Sequence, residues 1–589
     1  MGMNRLALFS FYDKSGKVSS FIYYYIRELL KVADVVFLAN GSLRSDARTA
    51  LEKLGCRVSV RENMGFDFGA WKDFLLSEDV SFYSRYDEII LCNSSCYGPV
   101  YPFSLIFDEM ESRACDFWGL YRNPGSKGRK QSVPSHIQSY FLVLGKKLFS
   151  DRCFRDYFSG LAYAGSWEEA VRQEVSFTGY FEERGFASSA YLGSSLSEFI
   201  EDPTILMPAE LLERKFPLIK RKCFTADYSY INKVSSSVQI RNLLSFLETK
   251  TDYPSDLIYE DLLRTEKNSN LLKALGLCYV LESDDDEERS SQSSGKAAAV
   301  LCSSLPERIP DNTRYLKSLP DGSSVFIAAA SEKIRERWTE VLSSLEKYSV
   351  QIRLQEDGYG PESAFLTTFR DELSSFDYIC LLRDREDAPS DPPLKDRFFS
   401  EHCLSALLFS KQYVQKVISL FERHSRLGLL MPFLPVFAEW PDKILNEEWG
   451  SGRERAERIY SMLKLSVPFD DHPVVPWGGM FWVSGRALSA LYWHEWAADG
   501  FRYRQKGADD GSLCDTLFGM YPMIAQESGF FSGCVCPSAL AGFQYANIYS
   551  NLQKRNALKI NPDSVHFSDV RKVLGLYLMR KLRKILTVR

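Results

Sequence analysis

Residues 61–71 read Arg-Glu-Asn-Met-Gly-Phe-Asp-Phe-Gly-Ala-Trp, and residues 86–95 read Tyr-Asp-Glu-Ile-Ile-Leu-Cys-Asn-Ser-Ser. A polar, glycine-spaced turn thus precedes an apolar run that ends in small polar side chains. This order constrains the chain more than any other feature, because it suits parallel strands whose carboxyl ends border a ligand crevice. The flanking text agrees. Strands are predicted at Leu6–Phe11, Val35–Ala39, Arg57–Val60 and Glu88–Leu91. Helices are predicted at Val18–Leu30, where apolar positions recur at helical spacing, and at Ala47–Leu54, which Gly55 stops. Short strands alternating with helices give βαβ units and a mainly parallel sheet with right-handed crossovers.

Further strands are expected at Asp116–Leu120 and Ser139–Leu144, and a helix at Trp167–Arg184. Residues 203–280 are richer in Leu, Lys and Glu and read as a helical extension. Residues 283–295, Ser-Asp-Asp-Asp-Glu-Glu-Arg-Ser-Ser-Gln-Ser-Ser-Gly, have too little apolar surface to offset their ordering entropy. The segment 281–295 is therefore read as a flexible linker. After it the pattern restarts, with strands at Ala297–Cys302, Ser324–Ala330, Val350–Leu354 and Tyr378–Leu382. The turn Glu356-Asp-Gly-Tyr-Gly-Pro361 and the polar tip Arg383-Asp384-Arg385 mirror the first half. At 589 residues the chain exceeds what one core serves. The predicted plan is two related α/β modules at 1–202 and 296–545, followed by a tail at 546–589.

The net charge of −5 argues against a general nucleic-acid binder. Thirteen cysteines are scattered, and several, such as Cys92, Cys302 and Cys380, sit in apolar strand-like text. That usage fits reduced, buried thiols. Cys534-x-Cys536 and Cys92-x3-Cys96 lack partners at zinc spacing. No N-terminal signal peptide is expected, since Leu6–Phe11 is short and Asp13 and Lys14 end it. No run of eighteen apolar residues suggests a membrane span.

In the first crevice, Gly65 and Gly69 would let backbone approach a ligand closely. Asn63 and Asp67 supply donors and acceptors for a base or ribose. Asn93 and Ser95 lie where a strand ends and would face a sugar diphosphate. The alternative reading is a tight turn in which Asp67 caps the helix beginning near Ala70.

Five tracts occur in order: Phe11-Tyr-Asp-Lys-Ser-Gly16, Arg61 to Trp71, Asn93-Ser-Ser-Cys-Tyr-Gly-Pro99, Asp116-Phe-Trp-Gly119 and His136-Ile-Gln-Ser-Tyr-Phe141. Together they resemble the rhamnan synthesis F family of bacterial polysaccharide glycosyltransferases. Trp477-Gly-Gly-Met-Phe-Trp482 and Asp509-Asp510-Gly511 look like that family's second half. The resemblance implies two GT-A-like, Rossmann-like modules, a dTDP-rhamnose donor and a lipid-linked, rhamnose-containing saccharide acceptor. It also makes Asp13, Asn63, Gly65, Asp67, Gly69, Asn93 and Ser95 the expected donor-binding set.

GT-A enzymes usually place Asp-x-Asp where this chain has Asn93-Ser94-Ser95, and those carboxylates hold a divalent metal, Mg or Mn, on the donor diphosphate. Here the local carboxylate is missing. Either other groups hold a metal, or basic side chains and backbone N–H groups neutralise the phosphates. Lys14, Lys17, Arg61 and Lys72 are candidates, with solvated surface charge as the plainer reading of each. The resemblance further implies inverting transfer, for which one in-line carboxylate serves as base. Arg172-Gln-Glu-Val-Ser-Phe-Thr178 resembles the helix that supplies it, which makes Glu174 the candidate; an exposed helix carboxylate is the alternative.

In the second module Asp509 and Asp510 occupy the comparable place, with Asp510 the candidate base and a capped turn the alternative. Asp357 and Asp384 are further candidates there. Both lie where the chain departs from the family's Gly-Arg-Asp-Ile-Gly-Pro and basic strand-end patterns, so the second site either uses other ligands or binds acceptor. His136, Gln138 and Trp118 are candidates for sugar or acceptor contact. Trp71, Tyr140, Trp477 and Trp482 could stack on sugar rings or fill the core.

Residues 568–589 carry seven cations against one acid, with Leu574, Leu578, Leu582, Ile585 and Leu586 at helical spacing. A basic amphipathic helix on an anionic membrane surface is one reading, and a docked terminal helix the other. With the family resemblance, the expected place is cytoplasmic, peripheral on the inner face of the bacterial plasma membrane. A non-catalytic carbohydrate-binding or assembly factor, and a transferase for another nucleotide sugar, are the alternative functions.

Overall fold

The computed structural model describes residues 3–127, 132–193, 202–235, 237–283, 295–355, 361–384, 394–436, 449, 452–492, 494–496, 501 and 513–558. Asp357, Asp509, Asp510, most of the acidic segment 281–295 and the basic segment 568–589 lie outside the described residues. The chain divides into two units. The first comprises Met1–Leu277 with Lys464–Asp470 and Ala525–Phe531, and the second comprises Cys278–Leu463, Asp471–Ile524 and Ser532–Arg589.

The first unit runs β1 (Arg5–Phe11), α1 (Ser20–Leu29), β2 (Asp34–Asn40), α2 (Ser45–Leu54), β3 (Arg57–Arg61), α3 (Phe66–Ser77), β4 (Glu88–Asn93), β5 (Cys96–Tyr97), β6 (Phe117–Asn123), β7 (Phe141–Gly145), α4 (Trp167–Glu182), β8 (Ser188–Leu192), β9 (Ile219–Lys220) and α5 (Asp256–Thr265), with shorter elements between. Its main sheet has the order β8-β6-β7-β4-β1-β2-β3. β1 pairs in parallel with both β2 and β4, and β2 with β3. β7 runs antiparallel between β4 and β6. The sequence explains the placement. β1 is buried along its whole length, as a central parallel strand requires, whereas Arg-Val-Ser-Val-Arg of β3 is only partly covered and forms the edge. α1 buries Phe21, Ile22, Tyr25, Ile26 and Leu29 on one stripe.

The second unit repeats the plan. It contains β10 (Cys278–Leu281), β11 (Ala297–Ser303), β12 (Ser324–Ala329), β13 (Ser349–Leu354), β14 (Tyr378–Arg383), β15 (Leu427–Pro432), β16 (Phe481–Ser484) and β17 (Phe531–Pro537), in the order β10-β17-β15-β16-β14-β11-β12-β13. β14, β11, β12 and β13 are parallel, and β16 is antiparallel between β14 and β15. The order β3-β2-β1-β4-β7-β6-β8 of the first sheet thus has its counterpart in β13-β12-β11-β14-β16-β15-β17. Register fixes the equivalence: Ser10 lies opposite Asn93 in one unit, Cys302 opposite Arg383 in the other. Asp384 therefore matches Ser94. The sequence analysis placed no strand at β5, β8, β9, β10, β15, β16 or β17. β9 has two residues, too few for any periodicity, and β10 is a half-exposed edge.

Helix α5 is tied to the first sheet through one carboxylate. Asp261 is fully buried and accepts hydrogen bonds from Ser19 Oγ (2.9 Å), Tyr97 Oη (2.9 Å) and Arg221 Nη2 (2.8 Å), with Arg264 Nη2 at 3.4 Å. Arg264 Nη1 in turn donates to Asp13 Oδ2 at 2.8 Å. A buried charge held this way is costly to strand. Asp261→Ala, which leaves the Arg221 guanidinium without its carboxylate, is expected to destabilise the first unit by about 3–5 kcal/mol in urea denaturation; a loss below about 1 kcal/mol would contradict this role.

In the second unit Asp384 does comparable work at the sheet end. Its carboxylate accepts from Ser303 Oγ (2.8 Å), Ser304 N (2.7 Å), Ser304 Oγ (3.2 Å) and Asn312 Nδ2 (2.9 Å). Burial pushes its pKa up to about 6, against these hydrogen bonds. An acid whose pKa is raised by folding favours the folded state most when protonated. Stability should therefore fall as pH rises from about 4, the unfolded value, to about 6. Asp384→Asn should remove that slope; denaturation midpoints at pH 4, 5, 6 and 7 read it directly.

Candidate active site

The carboxyl ends of β1, β2, β3 and β4 meet the start of α3 in a directional chain of hydrogen bonds. Arg61 Nη1 donates to Asn40 Oδ1 (2.6 Å), and Asn40 Nδ2 donates to Ser10 Oγ (2.9 Å). The Ser10 side chain hydrogen-bonds Asp67, and Asn93 Nδ2 donates to Asp67 Oδ2 at 2.7 Å. Asn93 Oδ1 accepts from Ser95 N (3.1 Å) and Ser95 Oγ (2.5 Å), which closes the turn after β4. Ser10, Asn40 and Asn93 are all buried. Burial raises the Asp67 pKa, hydrogen bonds from Ser10 and Asn93 oppose the rise, and the charge of Glu174 adds to it. Asp67 and Glu174, 107 positions apart by subtraction of their numbers, are thus electrostatic neighbours.

Glu174 comes from α4, whose start is capped by Ser166. Its Oε2 accepts from Ser139 N (2.8 Å) and Ser139 Oγ (2.5 Å), so the carboxylate is held at the residues that lead into β7. His136 Nε2 lies 3.8 Å from Glu174 Oε1, and its other ring nitrogen is 2.9 Å from Pro134 O. That carbonyl can only accept, so Nδ1 carries a proton and Nε2 is the nitrogen turned toward Glu174. Gln138 is buried, its Oε1 without a hydrogen-bond partner, and the buried Tyr140 Oη has none either. Orphaned polar atoms beside a carboxylate are what a ligand site leaves when protein groups alone are counted.

The sequence-predicted residues divide accordingly. Asp67, Asn93, Ser95, Glu174, His136 and Gln138 come together along this rim. Asp13 is braced rather than free. Burial opposes its ionisation, but hydrogen bonds from Ser15 and Arg264 hold it below the ordinary carboxylate range. Asn63 stands exposed in the turn. Gly65 has φ 74°, and a Cβ there would meet Tyr163 at 2.7 Å; one on Gly69 would meet Met64 O at 2.3 Å. The close approach at both glycines is made by the chain itself. Trp118 is 4% exposed and packs edge-on against Phe107, so it belongs to the core. Trp71 and Trp482 are buried likewise, each donating its indole N–H to a backbone carbonyl. Asp384, with both oxygens engaged, closes the equivalent position in the second unit.

The four candidate cations for phosphate fall into two groups. Arg61 is spent on Asp73, Asn40 and Met64 O, and Lys72 on Leu161 O. Lys14 and Lys17 are exposed. Sequence reasoning missed the cations that do border the turn. β9 pairs with β5 so that Lys220 lies opposite Cys96, and Arg221 N donates to Ser95 O at 2.9 Å. Only the bare Lys-Arg-Lys run at 220–222 signalled it.

The donor set does not fit a divalent ion. Ser94 offers no carboxylate, the Asn93 carbonyl is taken by Ser95, and one oxygen each of Asp67 and Glu174 is taken by Asn93 and Ser139. Among the described residues no group of three or more His, Cys, Asp or Glu is placed to hold a metal. Also among them, no helix is long and apolar enough to cross a membrane.

Comparison with known proteins gives the context. An uncharacterized protein y4gN of Sinorhizobium fredii (strain NBRC 101917 / NGR234) is 26% identical over 187 residues, which are 31% of this chain and 48% of that protein. The chain thus spans about half the length of this curated relative. Among solved structures, the glycosyltransferase GlyE of Streptococcus pneumoniae TIGR4 is similar over 67% of this chain and 90% of its own, at 12% identity and TM-score 0.22. The mannosyltransferase PcManGT of Pyrobaculum calidifontis, solved with GDP-Man and Mn2+, covers 59% and 86% at 8% identity and TM-score 0.22. Overlap that low carries no structural argument. The model of the family "Rhamnan synthesis protein F" matches residues 35–530. Most of the chain lies within that match, from β2 to the residue before β17, and the protein belongs to the rhamnan synthesis protein F family.

Proposed function

We propose that the first unit is an inverting, GT-A-like rhamnosyltransferase that moves L-rhamnose from dTDP-rhamnose to a lipid-linked, rhamnose-containing cell-surface polysaccharide. The observation that carries the reading is the position of Glu174. Its carboxylate is pinned by Ser139 beside Asp67 and His136, at the carboxyl ends of parallel strands, where α/β sheets take their ligands. An acceptor hydroxyl bound there loses its proton to Glu174 as its oxygen attacks the anomeric carbon from the face opposite the diphosphate. The bond from that carbon to the diphosphate oxygen breaks, and its electron pair leaves with the nucleotide. Asp67 does not enter the step; it fixes the Asn93 turn that borders the diphosphate. Family membership supports transfer of rhamnose, and the seven cations of residues 568–589 support attachment to an anionic membrane surface beside a lipid-linked acceptor. A non-catalytic carbohydrate-binding role draws its support from the absent Asp-x-Asp. The second unit, with Asp384 closed off, fits acceptor binding better than transfer.

Purified full-length protein with labelled dTDP-rhamnose and a synthetic lipid-linked rhamnose acceptor tests the reading. Transfer is expected, and folded protein that transfers nothing would count for the non-catalytic role. Glu174→Gln should lower kcat by roughly 10²–10⁴ with donor affinity retained; unchanged turnover would remove Glu174 from the base role. Asp67→Asn should lower turnover by roughly tenfold or more through misplacement of the turn while keeping the fold. Because folding raises the Asp67 pKa, wild type is penalised once pH exceeds the unfolded value near 4. The Tm of Asp67→Asn relative to wild type should therefore be higher at pH 7 than at pH 3.5.

A further inference from the structure

The turn Asn93-Ser94-Ser95 is where a GT-A fold would carry its metal-binding carboxylates, and here the chain lays a cationic segment against it. β9 pairs antiparallel with β5, Lys220 opposite Cys96, and the next amide, Arg221 N, donates to Ser95 O. Arg221 is not available to a ligand, because its guanidinium is drawn to the buried Asp261 at 2.8 Å. That bond fixes the backbone between two lysines. Lys220 Nζ lies 5.1 Å from the centroid of the Tyr140 ring and 3.7 Å from Asp202 Oδ2. The other Asp202 oxygen is held by Thr204. Lys222 Nζ lies 4.6 Å from the centroid of the Trp167 ring, a side chain that is 56% exposed. Burial and then repulsion from Lys220 lower the Lys222 pKa, partly offset by Asp202 and Glu174. Two ammonium groups close enough to repel share Asp202 and Glu174, one oxygen of each carboxylate being already held by Thr204 and Ser139, and their remaining N–H groups suit an anionic ligand. The buried Tyr140 ring that Lys220 faces carries an unpartnered Oη.

We propose that Lys220 and Lys222 bind the donor's diphosphate in place of a divalent ion, so that the first unit works without metal. The inference rests on the reading of this unit as a nucleotide-sugar site. As the bond between the anomeric carbon and the diphosphate oxygen breaks, its electron pair stays on that oxygen and raises the negative charge of the diphosphate by one, while the acceptor proton passes to Glu174. The lysines exchange neither protons nor electrons; their N–H groups hold the leaving group by charge-assisted hydrogen bonds that strengthen as its charge develops. Asp67 and Asn93, engaged with each other, shape the turn and ligate nothing.

Full-length protein freed of metal with EDTA is titrated with dTDP by calorimetry, and transfer from labelled dTDP-rhamnose is followed in EDTA, Mg2+ and Mn2+. The expected result is dTDP binding in EDTA that changes less than about threefold on adding either ion, well under the tenfold that 1.4 kcal/mol represents. Lys222→Met, at an exposed position, should weaken dTDP about tenfold, and the double variant with Lys220→Met about a hundredfold or more, at 1.5–3 kcal/mol for each charged hydrogen bond. Lys222→Arg should restore binding, and unchanged thermal unfolding of Lys222→Met certifies its fold. Transfer that vanishes in EDTA and returns with Mn2+, or dTDP affinity untouched in both Met variants, overturns the lysine assignment and leaves the transferase reading standing. Failure to bind dTDP with or without metal overturns both.

Discussion

One carboxylate organises the ligand edge of the first sheet. Asp67 is the end point of hydrogen bonds handed from Arg61 to Asn40 to Ser10 across three strand ends, and of a second bond from Asn93 on the fourth. Each donor in this chain has one acceptor, so the four strand ends are locked in relative position. The cost shows in the raised pKa of Asp67, a charge kept in surroundings that disfavour it. Natural proteins tolerate such costs where geometry matters more than stability. Asp261 does for the far side of the crevice what Asp67 does for the near side, holding Arg221 and, through Arg264, Asp13.

The two units show what duplication of one strand plan permits. Register makes Ser94 and Asp384 equivalent, yet the first is a half-buried serine and the second a buried carboxylate folded back onto Ser303, Ser304 and Asn312. A carboxylate at this position would ordinarily suggest a metal ligand. With four hydrogen bonds already made and a pKa near that of a weak acid, Asp384 serves instead to close the end of β11.

The alternation of strands and helices in the first unit, with strands at Leu6–Phe11, Val35–Ala39, Arg57–Val60 and Glu88–Leu91, was legible in the sequence, because periodicity and apolar runs are local signals. The juxtaposition of Asp67 with Asn93 was legible too, since the turn, helix and strand that carry them lie within 33 residues of one another between Arg61 and Asn93. What the sequence hid depends on contacts at long range. Lys220 and Lys222 reach the turn through a two-residue strand that no window detects, 125 or more residues after Ser95. Ser139 gave no sign that it would hold Glu174. Gly65 and Gly69 show the same limit: a glycine announces a close approach, not which atoms approach, and within the chain these are Tyr163 and Met64.

If this picture is right, the nucleotide of the donor lies over the ends of β1 and β4 in the first unit, its diphosphate between the turn at Asn93–Ser95 and the segment 220–222. A crystal structure of the full-length protein with dTDP bound tests this most directly. The account predicts diphosphate oxygens within hydrogen-bond distance of Lys220 or Lys222, with Glu174 facing the side from which an acceptor would enter. Nucleotide bound in the second unit alone, or a first-unit turn that remains closed to it, would contradict the account.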